Sequence, residues 1–79
     1  MNGPVEVFGL EGLMVTEKAK EVVEQAGYEV ILNRMPHAKL LYLRGQLGVS
    51  YLPIARLNNR TLQGMREIRD YFAAHPNGE

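Results

Sequence analysis

The sequence predicts an α/β domain, and two observations carry that reading. Short β-branched or aromatic runs alternate with stretches whose apolar residues recur at helical spacing, and the last two strand-like runs are separated by only a two-residue turn signal. A strand, a helix and a second strand near the start imply a right-handed parallel unit. The late hairpin adds antiparallel edge strands to the same sheet. With 79 residues there is room for a single core, so we treat residues 1–79 as one domain, with its body over residues 4–74.

Val5-Glu6-Val7-Phe8 reads as the first strand, closed by Gly9. Val15, Ala19, Val22, Val23 and Ala26 then form one helical stripe, which Gly27 ends in a left-handed conformation. Tyr28 to Leu32 is the second strand, and its apolar triplet Val30-Ile31-Leu32 predicts burial on both faces. Met35-Pro36 opens a second helix with proline in its first turn, Leu40, Leu43 and Leu47 supply the apolar face, and Gly48 is its stop. A third strand runs from Tyr51 to Leu57, with Pro53 at its entrance, where a missing N–H is tolerable. Asn58-Asn59 turns the chain into a short strand, Arg60-Thr61-Leu62. The last helix carries Met65, Ile68 and Phe72, with Glu67 in its first turn, where the dipole favours an anion. His75 to Glu79 reads as a flexible polar tail. The expected order is β-α-β-α-β-β-α.

This order and spacing resemble the thioredoxin fold in its smallest form, the glutaredoxins and glutaredoxin-like redoxins. The resemblance spans about residues 5 to 72. Phe8 to Gly12 stand in that family's first strand and loop, Ala19-Lys20 in its first helix, and Leu13-Met14-Val15-Thr16 at the positions of Cys-Pro-Tyr-Cys. Tyr51-Leu52-Pro53 matches Thr-Val-Pro, and Gln63-Gly64 matches the glycine pair opening the last helix. The resemblance implies a four-stranded mixed sheet flanked by three helices, and a cis peptide bond before Pro53. It also implies a ligand face made of Leu13, Met14, Thr16, Tyr51, Leu52, Pro53, Gly64, Arg66 and Glu67. The residue before such a proline offers its N–H and C=O to an extended peptide.

The departures from the family are as informative. There is no cysteine, so thiol–disulfide exchange at this site is excluded, because it needs a thiolate. Where glutathione-binding members carry a Thr/Ser-Asp pair, this chain has Arg66-Glu67, which keeps the charge on a longer arm but loses the hydroxyl. The expectation is therefore a non-enzymatic module that needs no cofactor and binds a protein partner or its own copy through this face. Glutathione or a peptide-like small ligand, bound or used in a transferase-type role, is the alternative.

Leu13, Met14, Tyr51 and Leu52 would form an apolar patch, and Met and Tyr are favoured at interfaces. Met14 and Tyr51 are the expected exposed pair, while Val15 lies on the core stripe. Thr16 is expected to satisfy a backbone N–H in the first helical turn. His37 and His75 are the only histidines and share no ligand spacing, which argues against a metal site. Glu17, Glu21 and Glu24 read as a solvated helix face supported by Lys20.

Nine basic and nine acidic residues give zero net charge, which argues against a dedicated nucleic-acid binder. The charge is unevenly placed: residues 1–33 carry −4 and residues 34–79 carry +4. Arg56, Arg60, Arg66 and Arg69 either form one basic patch or are dispersed and neutralised by Glu67 and Asp70. No apolar run approaches the ~20 residues of a membrane span, and Met1 to Pro4 lacks the pattern of a signal peptide, so a cytoplasmic location is the expectation.

Overall fold

The structure, a computed structural model, describes residues 3–58 and 60–76. The elements run β1 (Val5–Leu10), α1 (Met14–Gln25), β2 (Val30–Met35), α2 (His37–Leu47), β3 (Ile54–Leu57), β4 (Arg60–Gln63) and α3 (Gly64–Ala74). The four strands form one mixed sheet in the order β2-β1-β3-β4. β1 and β2 are parallel, whereas β1–β3 and β3–β4 are antiparallel.

Register sorts the side chains into two layers. Val5 and Val7 of β1, Val30 and Leu32 of β2, Ala55 and Leu57 of β3, and Leu62 of β4 share the face covered by α1 and α3, where Ala19, Val23, Ile68 and Phe72 complete the main core. The opposite face carries Phe8 and Ile54, and α2 contributes Leu40, its one fully buried residue.

Several boundaries differ from the sequence expectation. β1 continues through Gly9 to Leu10, because Gly9 is an interior strand position under α1. A Cβ there would overlap the Thr16 side chain, so the glycine serves close packing and not a turn. Gly9→Ala is expected to cost about 1–3 kcal/mol, and pairing it with Thr16→Ala should recover part of that loss. Denaturant midpoints of the two single variants and the double variant check this.

β2 begins two residues later than expected. Tyr28 belongs to the connection after the left-handed Gly27 (φ 93°), and its buried ring sends its hydroxyl to the His75 carbonyl at 2.7 Å. His75 is therefore anchored and not part of a free tail: its ring stacks on Tyr71 at 4.2 Å. Residues 77–79 of the expected tail lie outside the described residues, as does Asn59 of the hairpin turn.

The expected two-sided burial of Val30-Ile31-Leu32 fails at Ile31, which is 46% exposed. β2 is an edge strand, and its side chain at Ile31 is left open to solvent. Met35 closes β2, leaving Pro36 as the N-cap of α2 and not part of its first turn. Gly48 ends α2 in the left-handed region, as expected (φ 68°). β3 starts only at Ile54, so Tyr51, Leu52 and Pro53 form a bent lead-in outside the ladder.

Candidate functional site

The C-terminal ends of β1, β2 and β4 and the N-terminal end of β3 lie at one end of the sheet, because Leu10 pairs with Met35, Phe8 with Ile54, and Ile54 with Gln63. The N-termini of all three helices follow from there. Leu13, Pro36 and Gln63 are their N-caps, and none makes a side-chain capping bond. This end of the sheet thus gathers the positive ends of three helix dipoles.

The Ser50–Pro53 segment is held there by side chains from two other elements. Gln63 Oε1 accepts the Ser50 N–H at 2.7 Å and the Tyr51 N–H at 3.2 Å, while Arg44 donates Nη2–H to the Ser50 carbonyl at 3.0 Å. Gly64, at φ 83°, turns β4 into α3 and donates its N–H to the Pro53 carbonyl at 2.8 Å. The Leu52–Pro53 peptide bond is cis. Leu52 itself, clamped on both sides, has neither its N–H nor its C=O hydrogen-bonded among the described residues.

Beside it opens a groove of about 500 Å³ lined by Tyr51, Leu52, Gln63, Gly64, Met65, Arg66 and Glu67. Five of these seven belong to the face expected from sequence. Gln63 and Met65 were not among the expected site residues. No sequence signal marks the amide of Gln63 as the clasp on Tyr51, and Met65 reads as a core-stripe residue, yet it is half-buried and also lines the groove.

Met14 (77% exposed), Tyr51 (68%) and Leu13 (48%) stand out at this end of the sheet, and Val15 is half-buried on the core side. Two expected site residues are buried. Thr16 is buried, and its hydroxyl donates to the Leu10 carbonyl at 2.9 Å; it locks α1 onto β1 and neither satisfies a backbone N–H nor faces a ligand. The Pro53 side chain is also fully buried and does not line the groove. Glu67 is already engaged, since its Oε1 accepts the Gln63 N–H at 3.0 Å and caps α3.

The four arginines do not form one patch. Arg60 lies on the α3 face of β4, 5.2 Å from the Tyr71 ring centre, whereas Arg56 alternates with Leu57 and lies on the α2 face. On α1, Lys20 and Glu24 pair at 3.5 Å on the exposed surface. Glu17 is bound bidentately by Arg34 at 2.7 and 3.0 Å, a contact between helix and strand that helical spacing does not reveal. Hydrogen bonding from Arg34, aided by its charge, holds the Glu17 carboxyl below its ordinary value of 4.5. A depressed carboxyl contributes stability that is present above its unfolded-chain pKa and is lost as pH falls through the folded one. Glu17→Gln is therefore expected to flatten the decline in stability between about pH 5 and about pH 3, read as urea midpoints of both proteins across that window.

Among the described residues no group of three or more His, Asp or Glu could hold a metal ion, and no helix is long and apolar enough to cross a membrane. No protein-family model, curated protein or solved structure matches the chain.

Proposed function

We propose that this chain is a cysteine-free, glutaredoxin-like domain of thioredoxin topology that works as an interaction module, binding an extended segment of a protein partner along Leu52. The single observation that carries the reading is the backbone of Leu52: a donor and an acceptor held in place by their neighbours, left unpaired, and opening on a groove with exposed apolar side chains beside it. Main-chain pairing of that kind supplies affinity, and flanking side chains supply choice of partner. The strand order β2-β1-β3-β4 with helices on both faces, together with the lead-in through Leu52 and Pro53, supports the topology.

Chemistry at this face is limited by what is present. Without a thiolate there is no nucleophile for disulfide exchange. Glutathione remains the second reading because the groove is of suitable size, but the carboxylate that would meet its amine already caps α3.

The test replaces Tyr51 with a photoreactive aromatic residue and cross-links the protein in its native host. A discrete adduct that disappears with Met14→Glu and persists with Arg69→Glu is the expected result. Met14 is exposed, so its substitution leaves the fold intact. Adducts indifferent to Met14→Glu would sink the reading. A parallel amide NMR titration with glutathione decides the second reading: saturable shifts confined to Tyr51, Leu52, Gly64 and Glu67 would favour it.

A further inference from the structure

The groove beside Leu52 has a charge pattern as well as a free backbone. Residues 30–66, which supply β2, α2, the Ser50–Pro53 lead-in, the hairpin and the start of α3, hold six basic residues and no acidic one. Two of the six, Arg44 and Arg66, stand at the lead-in, and neither meets a carboxylate among the described residues. Arg44 donates Nη2–H to the Ser50 carbonyl at 3.0 Å, and its buried Nε has no hydrogen-bond partner among the described residues. Arg66 is exposed, lines the groove, and makes no hydrogen bond or ion pair among the described residues.

The one acid lining the groove is already engaged. Glu67 Oε1 accepts the Gln63 N–H at 3.0 Å, which holds that carboxylate at the junction of β4 and α3. Gly64 brings this wall close to the lead-in. A Cβ on it would stand 3.5 Å from the Tyr51 Cβ, and its N–H holds the Pro53 carbonyl at 2.8 Å, so the first turn of α3, with Arg66, runs alongside Leu52.

Resting on the reading of Leu52 as the pairing backbone, we infer that the partner segment is acidic: an extended stretch of another protein in which Asp or Glu alternates with apolar residues. Its main chain pairs with the N–H and C=O of Leu52, its apolar side chains lie against Tyr51 and Met65, and its carboxylates meet the guanidinium of Arg66. An unpaired guanidinium on a docking surface favours a carboxylate over an amide or an ammonium, which sets the choice of partner more than the strength of binding. A second copy of this chain does not supply such a segment among the described residues. Its acids lie on α1 and α3, in the interior strand β1, and at Glu11 and Glu29, whose backbones are tied to Met35 and Val5.

The test follows the labelled protein by amide NMR during titration with three capped peptides: acetyl-Val-Glu-Val-Glu-Val-amide, and the same sequence with glutamine or with lysine in place of glutamate. The capped ends leave side-chain carboxylates as the only anions. The glutamate peptide is expected to give saturable shifts at Tyr51, Leu52, Gly64 and Arg66 and to bind about fivefold more tightly than the glutamine peptide, with the lysine peptide weakest. Arg66→Glu is expected to reverse the order of the glutamate and lysine peptides, whereas Arg69→Glu, exposed on α3 outside the groove, keeps it. Raising the salt to about 0.5 M shrinks the preference. Equal binding of the glutamate and glutamine peptides at the groove, or an order that survives Arg66→Glu, overturns the acidic partner and leaves the Leu52 groove standing. No saturable shift between Tyr51 and Glu67 with any of the three peptides overturns the acidic partner and the groove together.

Discussion

Phe72→Ala is expected to leave the chain largely unfolded at room temperature. The ring is 2% exposed and meets Tyr28 and Tyr71 edge-on, with centroids at 5.0 and 5.1 Å. Removing a buried phenylalanine costs about 3–5 kcal/mol from lost transfer energy and the cavity left behind. A core of this size supplies only about 3–5 kcal/mol in total. The loss therefore matches the whole margin. It also reaches beyond α3, because Tyr28 ties the start of β2 to the end of α3 through the His75 carbonyl, and that tie depends on the ring packing. Circular dichroism melts of Phe72→Ala and Phe72→Leu make the measurement: the leucine variant should fold, with a lowered midpoint. An alanine variant that melts cooperatively within a few degrees of the parent would show that Phe72 does not couple α3 to the sheet.

Leu40→Ala is expected to act differently, releasing α2 while the rest of the sheet holds. Leu40 is the one fully buried residue of that helix; Leu41 and Tyr42 are exposed, and Leu43 and Leu47 are only half-covered. An 11-residue helix is marginal alone and depends on its docked face. A buried Leu→Ala change costs about 2–5 kcal/mol when the structure must keep its shape. Local undocking limits that cost to what α2 contributes. Native-state hydrogen exchange should show amides across residues 40–47 losing protection while those of β1 and β3 keep theirs. A uniform loss across α2 and the sheet would mean that α2 belongs to the same cooperative unit as the main core.

Taken together, these two expectations describe a lopsided molecule, with one strong layer under α1 and α3 and one thin layer under α2. The site at the end of the sheet draws on both. Ser50 and Tyr51 are clasped by Gln63, where β4 passes into α3, and Ser50 also by Arg44 of α2, so α2 release is also expected to loosen the lead-in to Leu52.

Element types and order were legible in the sequence because each rests on local signals. The period change at Val15, the glycines at 27 and 48 that take positive φ, and the stripe Ile68 and Phe72 are all short-range features, and all reappear in the structure. The exclusion of thiol chemistry was equally direct, since composition alone decides it. The exposed pair Met14 and Tyr51 was also readable, although only by way of a resemblance.

What the sequence could not determine depends on contacts between residues far apart along the chain. Gly9 looks like a strand terminator until Thr16 is seen packed against it. Thr16 looks like a capping hydroxyl until it is seen donating to the Leu10 carbonyl. Ile31 looks buried until β2 proves to be an edge. Among the described residues the Leu52 backbone has no hydrogen bond, because Gln63 and Gly64 satisfy its neighbours and not it. Helix and strand segments are set locally, because periodicity and turn residues act within a few positions. Which backbone groups and apolar side chains stay exposed emerges from long-range packing, because it depends on strand order and on which helix covers which face.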